Sequence, residues 1–286
     1  MDEQHQERWD VVVGEPRPWW HIEVREIWRY RDLLWLLVRR DLLAIYKQSL
    51  LGPLWQVLQP VLTAVAFAVV FGWLGRMADK GVPPVLFYLS AIVPWTFFAN
   101  VVNRTSQTLI WNAALMTKVY FPRILSPLAT TLSTAFSFLV QLAAFAALAV
   151  GYHATTDFAW HLDSGILMLP VLIALLTILA FGAGVLVSAL TTRFRDLGFL
   201  LGFAIQLLMY VSPVIFPLDS LPPASGLRRV LEVNPMTPLI EGFRAALLGG
   251  GMDVPALWYP LLFACILLAV GTITFHRVQR SFADVI

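Results

Sequence analysis

Six uncharged apolar blocks, each long enough to cross a lipid bilayer, constrain this chain more than any other feature of its sequence. A helix needs about 20 mostly apolar residues to cross a hydrocarbon core of roughly 30 Å. The six blocks contain no Asp, Glu, Lys, Arg or His, and they cover residues 54–74, 85–102, 128–150, 166–190, 197–216 and 256–275. We therefore predict an all-α integral membrane protein with six transmembrane helices.

The composition supports a single membrane domain. Charged residues make up 13% of the chain, about half the roughly 25% of a soluble globular protein. A net charge of +2 is too small to indicate nucleic-acid binding. The single cysteine, Cys265, lies inside an apolar block, which excludes a disulfide framework and favours a small core residue.

Basic residues indicate the orientation of the spans, because cytoplasmic loops collect Lys and Arg whereas translocated loops do not. With both ends inside, the inner segments hold fifteen of the twenty Lys and Arg residues. The first 50 residues are charged and lack the apolar core of a signal peptide. We expect a multi-pass protein whose N- and C-termini are both cytoplasmic.

An amphipathic segment, residues 22–49, precedes the first block. Apolar side chains such as Ile27, Leu34 and Leu42 occupy one side of its helical wheel. The opposite arc of about 120° carries charged side chains: Arg25, Arg29, Asp32, Arg39, Arg40 and Lys47. Such a helix lies in the headgroup plane, so we predict an interfacial helix, with room for one break. A simple topology anchor is the alternative.

The loop 217–255 is too apolar for a solvated loop and too interrupted for a span. Four prolines break it, and three glycines end a helical run over 237–248. Irregular backbone is tolerated at membrane depth only where protein or water covers it. We predict two short re-entrant helices on the outer face, with a surface loop as the alternative. Glu241 and Arg244, three residues apart, are expected to pair.

Several kinds of chemistry are missing from the sequence. It contains no G-x-x-x-x-G-K-[ST] phosphate loop, no H-E-x-x-H and no G-x-S-x-G. We therefore predict no catalytic residues, no bound ATP and no metal site. His153, Asp157, His161 and Asp163 share one short loop, but their spacing is not that of a metal site.

The blocks also lack the ionisable groups that ion-coupled transporters place near the membrane midplane. A transporter of this kind must take its energy from another subunit. A channel is the remaining autonomous alternative, although no ring of charges typical of a selectivity filter is apparent.

A series of short strings resembles the permease subunits of polysaccharide-exporting ABC transporters, the type that moves O-antigen, capsule or teichoic acid chains. The resemblance extends in order from about residue 25 to the C-terminus. The strings are YKQSLLGPLW at 46–55, VPWTFF at 93–98, KVYFPR at 118–123, RDL at 195–197, SPVIF at 212–216 and NPMTPLIEGFR at 234–244.

The resemblance implies a homodimer bound to two ABC ATPase subunits, which would hold the ATP and Mg²⁺. Short cytoplasmic helices dock into the ATPase in such proteins. The corresponding segments here are 106–118 and 192–196, and Ile110, Trp111, Leu115 and Met116 would give the first an apolar side. The docking residues we predict are these four with Lys118, Arg193, Arg195 and Asp196. A loop anchored in the interface is the alternative.

A channel that slides a polysaccharide needs aromatic rings and neutral hydrogen-bonding groups rather than fixed charges. We predict that Gln56, Gln59, Trp95, Phe97, Phe98, Gln206, Tyr210 and Phe216 line it, with Gln141 as a further neutral polar group. Interfacial aromatic belts are the competing interpretation. The family implies an undecaprenyl pyrophosphate carrier, for which Arg39, Arg40 and Lys47 would form an entry site.

We divide the chain into a flexible tail (1–20), a cytoplasmic amphipathic interface helix (21–50) and a six-span permease domain (51–286). The function we expect is the channel-forming subunit of an ATP-driven exporter of lipid-linked polysaccharide in the bacterial plasma membrane. The alternatives are a drug- or lipid-exporting permease of the same superfamily and a membrane scaffold or channel without an ATPase partner.

Overall fold

The computed structural model describes residues 24–46, 52, 54–73, 81–112, 121–160, 163–194 and 196–281. Every regular element within these residues is a helix, which confirms the all-α prediction. The tail 1–20 and Lys47 lie outside the described residues.

The described chain is a succession of helices. A π-helical stretch, Ala68–Trp73, extends the third helix, and 3₁₀ turns at Ser164–Met168 and Pro255–Leu257 lead into two later ones. The α-helices are α1 (Val24–Arg29), α2 (Arg31–Tyr46), α3 (Leu54–Phe67), α4 (Pro84–Ser106), α5 (Thr108–Trp111), α6 (Leu125–Thr155), α7 (Leu169–Arg193), α8 (Leu197–Tyr210), α9 (Gly226–Val233), α10 (Met236–Leu248) and α11 (Trp258–Ser281).

Five helical segments among the described residues are long and apolar enough to cross a membrane. They are Leu54–Gly72, Pro84–Ser106, Leu125–Thr155, Ser164–Arg193 and Pro255–Val278. Each corresponds to one of the predicted blocks, in order.

The remaining block, 197–216, contains α8, which has 14 residues. A helix of that length is about 21 Å long at 1.5 Å per residue. Pro213 has no backbone N–H and disfavours helical geometry at Ser212 before it. The helix therefore ends at Tyr210, and turns continue to Phe216.

Helix α4 forms the centre of the bundle. In its most apolar stretch 78% of the residues are buried, against 17–33% in the other four candidate spans. Phe97 of α4 packs on Phe138 of α6 with ring centroids 4.7 Å apart, and Phe138 meets Phe243 of α10 edge to face. Helices α3, α6, α7 and α10 surround α4.

Helices α1, α2 and α5 gather at one end of the bundle, which we call the inner end. Leu37 and Val38 of α2 are buried against Ala129 of α6. Leu109 of α5 packs with Phe275, near the C-terminus of α11. The segment for which we predicted an interface helix contains two helices, α1 and α2, separated at Tyr30.

Helices α7 and α11 approach each other most closely at two glycines. A Cβ atom on Gly182 would lie 2.7 Å from the backbone nitrogen of Leu268, and one on Gly271 would lie 2.6 Å from the carbonyl oxygen of Gly182. Side chains at these positions would push the two backbones apart.

We expect Gly182→Ala to lower the thermal stability of the detergent-solubilised protein. Overpacking a close contact costs about 1–3 kcal/mol, which would reduce the melting temperature by several degrees. Gly151→Ala in α6 is the matched control, because Gly151 is exposed and no neighbouring element lies within 4 Å of the Cβ position there. Equal melting temperatures for the two variants would contradict the close packing of α7 on α11.

Candidate functional site

A cavity of about 360 Å³ opens at the inner end, between α2, α4, α5 and α6. We call it the inner-end cavity. Its lining residues are Arg40, Asp41, Ala44, Arg104, Thr108, Trp111, Asn112 and Thr130.

Hydrogen bonds fix the walls of the inner-end cavity. Arg104 donates from Nη1 to Thr134 Oγ1 at 3.1 Å, and its carbonyl oxygen accepts from Thr108 Oγ1 at 2.9 Å. Asn112 Nδ2 donates to the carbonyl oxygen of Thr108 at 3.0 Å, closing the end of α5. The hydroxyls of Thr108 and Thr130 lie 3.5 Å apart.

Only one of the predicted carrier-binding arginines lines the cavity. Arg40 does so and bonds to Asp41, with Nη2 2.9 Å from Oδ1. Arg39 is exposed on α2 and is absent from the cavity lining. Arg104, which the sequence analysis did not select, is the second cation of the cavity. The sequence did contain one signal for Arg104, which is its position just after an apolar block.

The two predicted docking segments lie side by side at the inner end. Thr191 Oγ1, near the end of α7, donates to the carbonyl oxygen of Ser106, at the end of α4, over 2.8 Å. Ile110 and Trp111 of α5 are 51% and 65% exposed, and Arg193 and Asp196 of the second segment are also exposed. Leu115, Met116, Lys118 and Arg195 lie outside the described residues.

The predicted channel aromatics of α4 lie in the protein core. Trp95, Phe97 and Phe98 are 4%, 1% and 7% exposed, and the rings of Trp95 and Phe98 are 5.8 Å apart. Their packing supports the bundle from inside the chain.

The polar members of the predicted channel set lie closer to the surface. Gln59 of α3 is exposed, and the carbonyl oxygen of Gln56 accepts a hydrogen bond from Gln141 Nε2 at 3.0 Å. Gln206 and Tyr210 of α8 are exposed, while Phe216 is half-buried.

One face of α8 has no cover within the described part of the chain. Phe199, Phe203, Gln206 and Tyr210 follow helical spacing along this face. Phe199 is 89% exposed and Phe203 is 62% exposed. A comparable stripe on α3 and its π-helical extension is formed by Trp55, Leu62 and Val69. We call the uncovered face of α8 the open face.

A polar network pins the turn after α8 to α10. Arg244 of α10 bonds to Glu241 Oε1 at 3.0 Å, which confirms the predicted pair. Its Nη2 also donates to the carbonyl oxygen of Pro213 at 2.9 Å, and its guanidinium carbon lies 4.2 Å from the centre of the Phe87 ring. Asn234 Nδ2 donates to the carbonyl oxygen of Val211 at 2.7 Å. The two strings that carry these residues, SPVIF and NPMTPLIEGFR, thus meet in space.

Within the described residues no group of three or more His, Cys, Asp or Glu side chains comes together in a way that could hold a metal ion. His153 instead hydrogen-bonds through Nδ1 with the carbonyl oxygen of Phe158 at 2.9 Å. Asp163 accepts from the backbone N–H of Gly250 at 3.3 Å.

The five long apolar helices define a multi-pass membrane protein. Residues 32–248 match the family described as ABC-2 type transporter, and the chain belongs to that family. The match extends from α2 to the end of α10, so it includes the inner-end cavity, the open face and the Arg244 network.

Two groups of curated relatives are similar along nearly their whole length. The O-antigen export system permease protein RfbA of Klebsiella pneumoniae is 26% identical over 255 residues, which cover 89% of this chain and 95% of the relative. Its namesake in Myxococcus xanthus is 26% identical over 262 residues, covering 91% and 98%. The polysialic acid transport protein KpsM of Escherichia coli is 24% identical over 253 residues, covering 86% and 93%.

We expect Arg244→Met to destabilise the protein by roughly 2–3 kcal/mol, because it leaves Glu241 and the Pro213 carbonyl without their cationic partner. Unfolding in mixed detergent micelles measures the change. Arg229→Met, on the exposed surface of α9, should leave stability within about 0.5 kcal/mol of wild type. A loss no larger than that of the control would show that the network does not stabilise the turn.

Proposed function

We propose that this chain is the channel-forming subunit of an ATP-driven exporter that moves lipid-linked polysaccharide out of the bacterial cytoplasm. The observation that carries the proposal is the similarity to O-antigen and polysialic acid transport proteins over most of both chains. The relatives are named for two different polymers, O-antigen and polysialic acid, and this chain is similar to both kinds.

The proposed topology has six crossings of the inner membrane, with both termini in the cytoplasm. Helix α8 alone is too short to cross the membrane. The turns to Phe216 would complete this crossing, which is the fifth of the six in chain order. Irregular backbone at membrane depth must be covered by protein, and Ser212, Pro213, Val214 and Ile215 are buried. Helices α9 and α10 would be the re-entrant pair of the outer face, and α1 and α2 would lie in the inner interface.

The proposed assembly is a homodimer in which two copies of the open face meet. The second copy would cover its aromatic and aliphatic side chains. Part of the predicted channel set would line the path between the copies. The lining set is Gln56, Gln59, Gln206, Tyr210 and Phe216. Trp95, Phe97 and Phe98 would support this surface from the core instead of touching the polymer.

Two ATPase subunits would supply the energy and hold the ATP and Mg²⁺. Exposed apolar side chains beside exposed charges suit a docking surface, because hot spots are aromatic anchors within a polar rim. Ile110 and Trp111 provide the anchors, and Arg193 and Asp196 the rim. An undecaprenyl pyrophosphate carrier would enter at the same end, near Arg39, Arg40 and Lys47.

We expect the double variant Ile110→Ala, Trp111→Ala to lose the ATPase subunit. Removing two exposed anchors of an interface weakens it by about 10-fold or more. The measurement is copurification and ATP turnover after coexpression with an ABC ATPase subunit encoded beside this chain. Trp258→Ala is the control, because its side chain is 74% exposed but lies at the start of α11, at the end of the last span away from the inner end.

Two outcomes would overturn the proposal. If no ATPase copurifies with the folded wild-type chain, the exporter assignment fails and a channel or scaffold is favoured. If the ATPase binds but cells lacking this chain still display the surface polymer and retain none inside, the substrate is not a polysaccharide.

We expect Phe203→Cys to form a disulfide with its counterpart in the second copy, because the open face becomes the dimer interface. The test uses a Cys265→Ala background, since Cys265 is exposed. Leu262→Cys in α11 is the control, with 61% exposure against 62% for Phe203. Cross-linking in native membranes that is equal at both positions would contradict a dimer built on α8.

A further inference from the structure

Two arginines from distant parts of the chain converge on the inner-end cavity. Arg40 comes from α2 and Arg104 from the end of α4, 64 positions further along the numbering. Asp41 is the only carboxylate among the described lining residues, so these residues carry a net positive charge. An anion would therefore be attracted to the cavity.

The donors that would suit a tetrahedral oxyanion are the two guanidinium groups. Thr108, Thr130 and Asn112 also line the cavity, but the Thr108 hydroxyl donates to the carbonyl oxygen of Arg104 and the Asn112 amide donates to that of Thr108. Thr108 and Thr130 are 1% and 6% exposed, so their hydroxyls sit on a formed wall and not on a mobile surface. Among the described residues, the bond to Thr134 engages one nitrogen of Arg104, whose guanidinium has five N–H donors.

The surroundings of the cavity place this anion at the level of lipid headgroups. Trp35, Leu36 and Leu43 of α2 are 68%, 61% and 41% exposed, as expected for a helix that meets the bilayer surface. Arg104 lies at the end of a candidate span. The volume of about 360 Å³ is at the lower end of the range for small-molecule pockets, roughly 300–1,000 Å³.

We propose that the inner-end cavity binds the phosphate-bearing headgroup of a membrane lipid, with Arg40 and Arg104 as its charged ligands. The same chemistry has two sources, a resident anionic phospholipid and the pyrophosphate of the exported lipid. The second source rests on the proposed function, whereas the first does not. A headgroup in this position would touch both α2 and α5, and it would connect the interface helix to Trp111 at the docking surface.

The experiment is lipid binding to the full chain in detergent, followed by native mass spectrometry with phosphatidylglycerol as the probe. We expect Arg40→Gln and Arg104→Gln each to weaken binding by about 10-fold, because each removes a charge-assisted hydrogen bond. Arg31→Gln is the matched control: it removes a charge of the same helix that also lies beside a carboxylate, that of Asp32, but no part of the cavity wall. Binding to that variant should stay within about 2-fold of wild type.

The Arg40→Gln variant keeps the test decisive if the Arg104→Gln variant misfolds. The Arg40 side chain bonds to Asp41 on the exposed side of α2, whereas loss of Arg104 also removes the contact with Thr134. Melting temperatures of all three variants are measured alongside binding. Weaker binding by Arg40→Gln at an unchanged melting temperature supports the site even if Arg104→Gln fails to fold.

Competing lipids identify the source of the headgroup. If undecaprenyl pyrophosphate displaces bound phosphatidylglycerol at concentrations below those of phosphatidylglycerol, the site is one for the carried lipid. If undecaprenyl pyrophosphate does not displace it, the site holds a resident lipid. Equal binding of diacylglycerol, which has no phosphate, or an equal effect of Arg31→Gln and Arg40→Gln would overturn the proposal. The ATPase subunit is absent from this experiment, so the result is independent of the copurification that tests the exporter assignment.

Discussion

The fold depends on pairing the backbone carbonyls that are freed where α8 ends. No water reaches such groups in a hydrocarbon core, so each must find a partner within the protein. Asn234 pairs with the carbonyl of Val211, and Arg244 pairs with that of Pro213. Both donors come from the segment around α10, which is thereby fixed to the turn. The cost of burying the Arg244 guanidinium is offset by Glu241 and by the face of the Phe87 ring.

This attachment explains why α4 is the central helix. Phe87 lies on α4, and Phe243, one residue before Arg244, packs against Phe138 of α6. The polar network and the aromatic core are therefore parts of one contact region, and α10 fills the space beside α4 that a further long span would otherwise occupy. Helix α8 is held mainly at its C-terminal turn, which leaves its outward face uncovered and available to a second copy.

The helical class and the positions of the five long spans could be predicted from the sequence, because lipid requires continuous uncharged helices of a fixed length. The early end of α8 was not predicted, since apolar residues continue to Phe216 and composition does not reveal which carbonyls find partners. Trp95 and Phe97 illustrate a related limit: a channel wall and a protein core select the same aromatic residues. The cavity partner Arg104 was missed because its neighbour Arg40 is 64 positions away, and only tertiary packing joins them.

Helices α4 and α7 are tied to each other next to α5, at the inner end. The buried hydrogen bond from Thr191 to the Ser106 carbonyl couples the ends of α7 and α4. Helix α7 is in backbone contact with α11 at Gly182 and Gly271, which leaves little room for the two helices to slide independently. The ends of α4 and α7 next to α5 are therefore tied together and α7 is tied to α11, whereas α8 has few contacts inside its own chain.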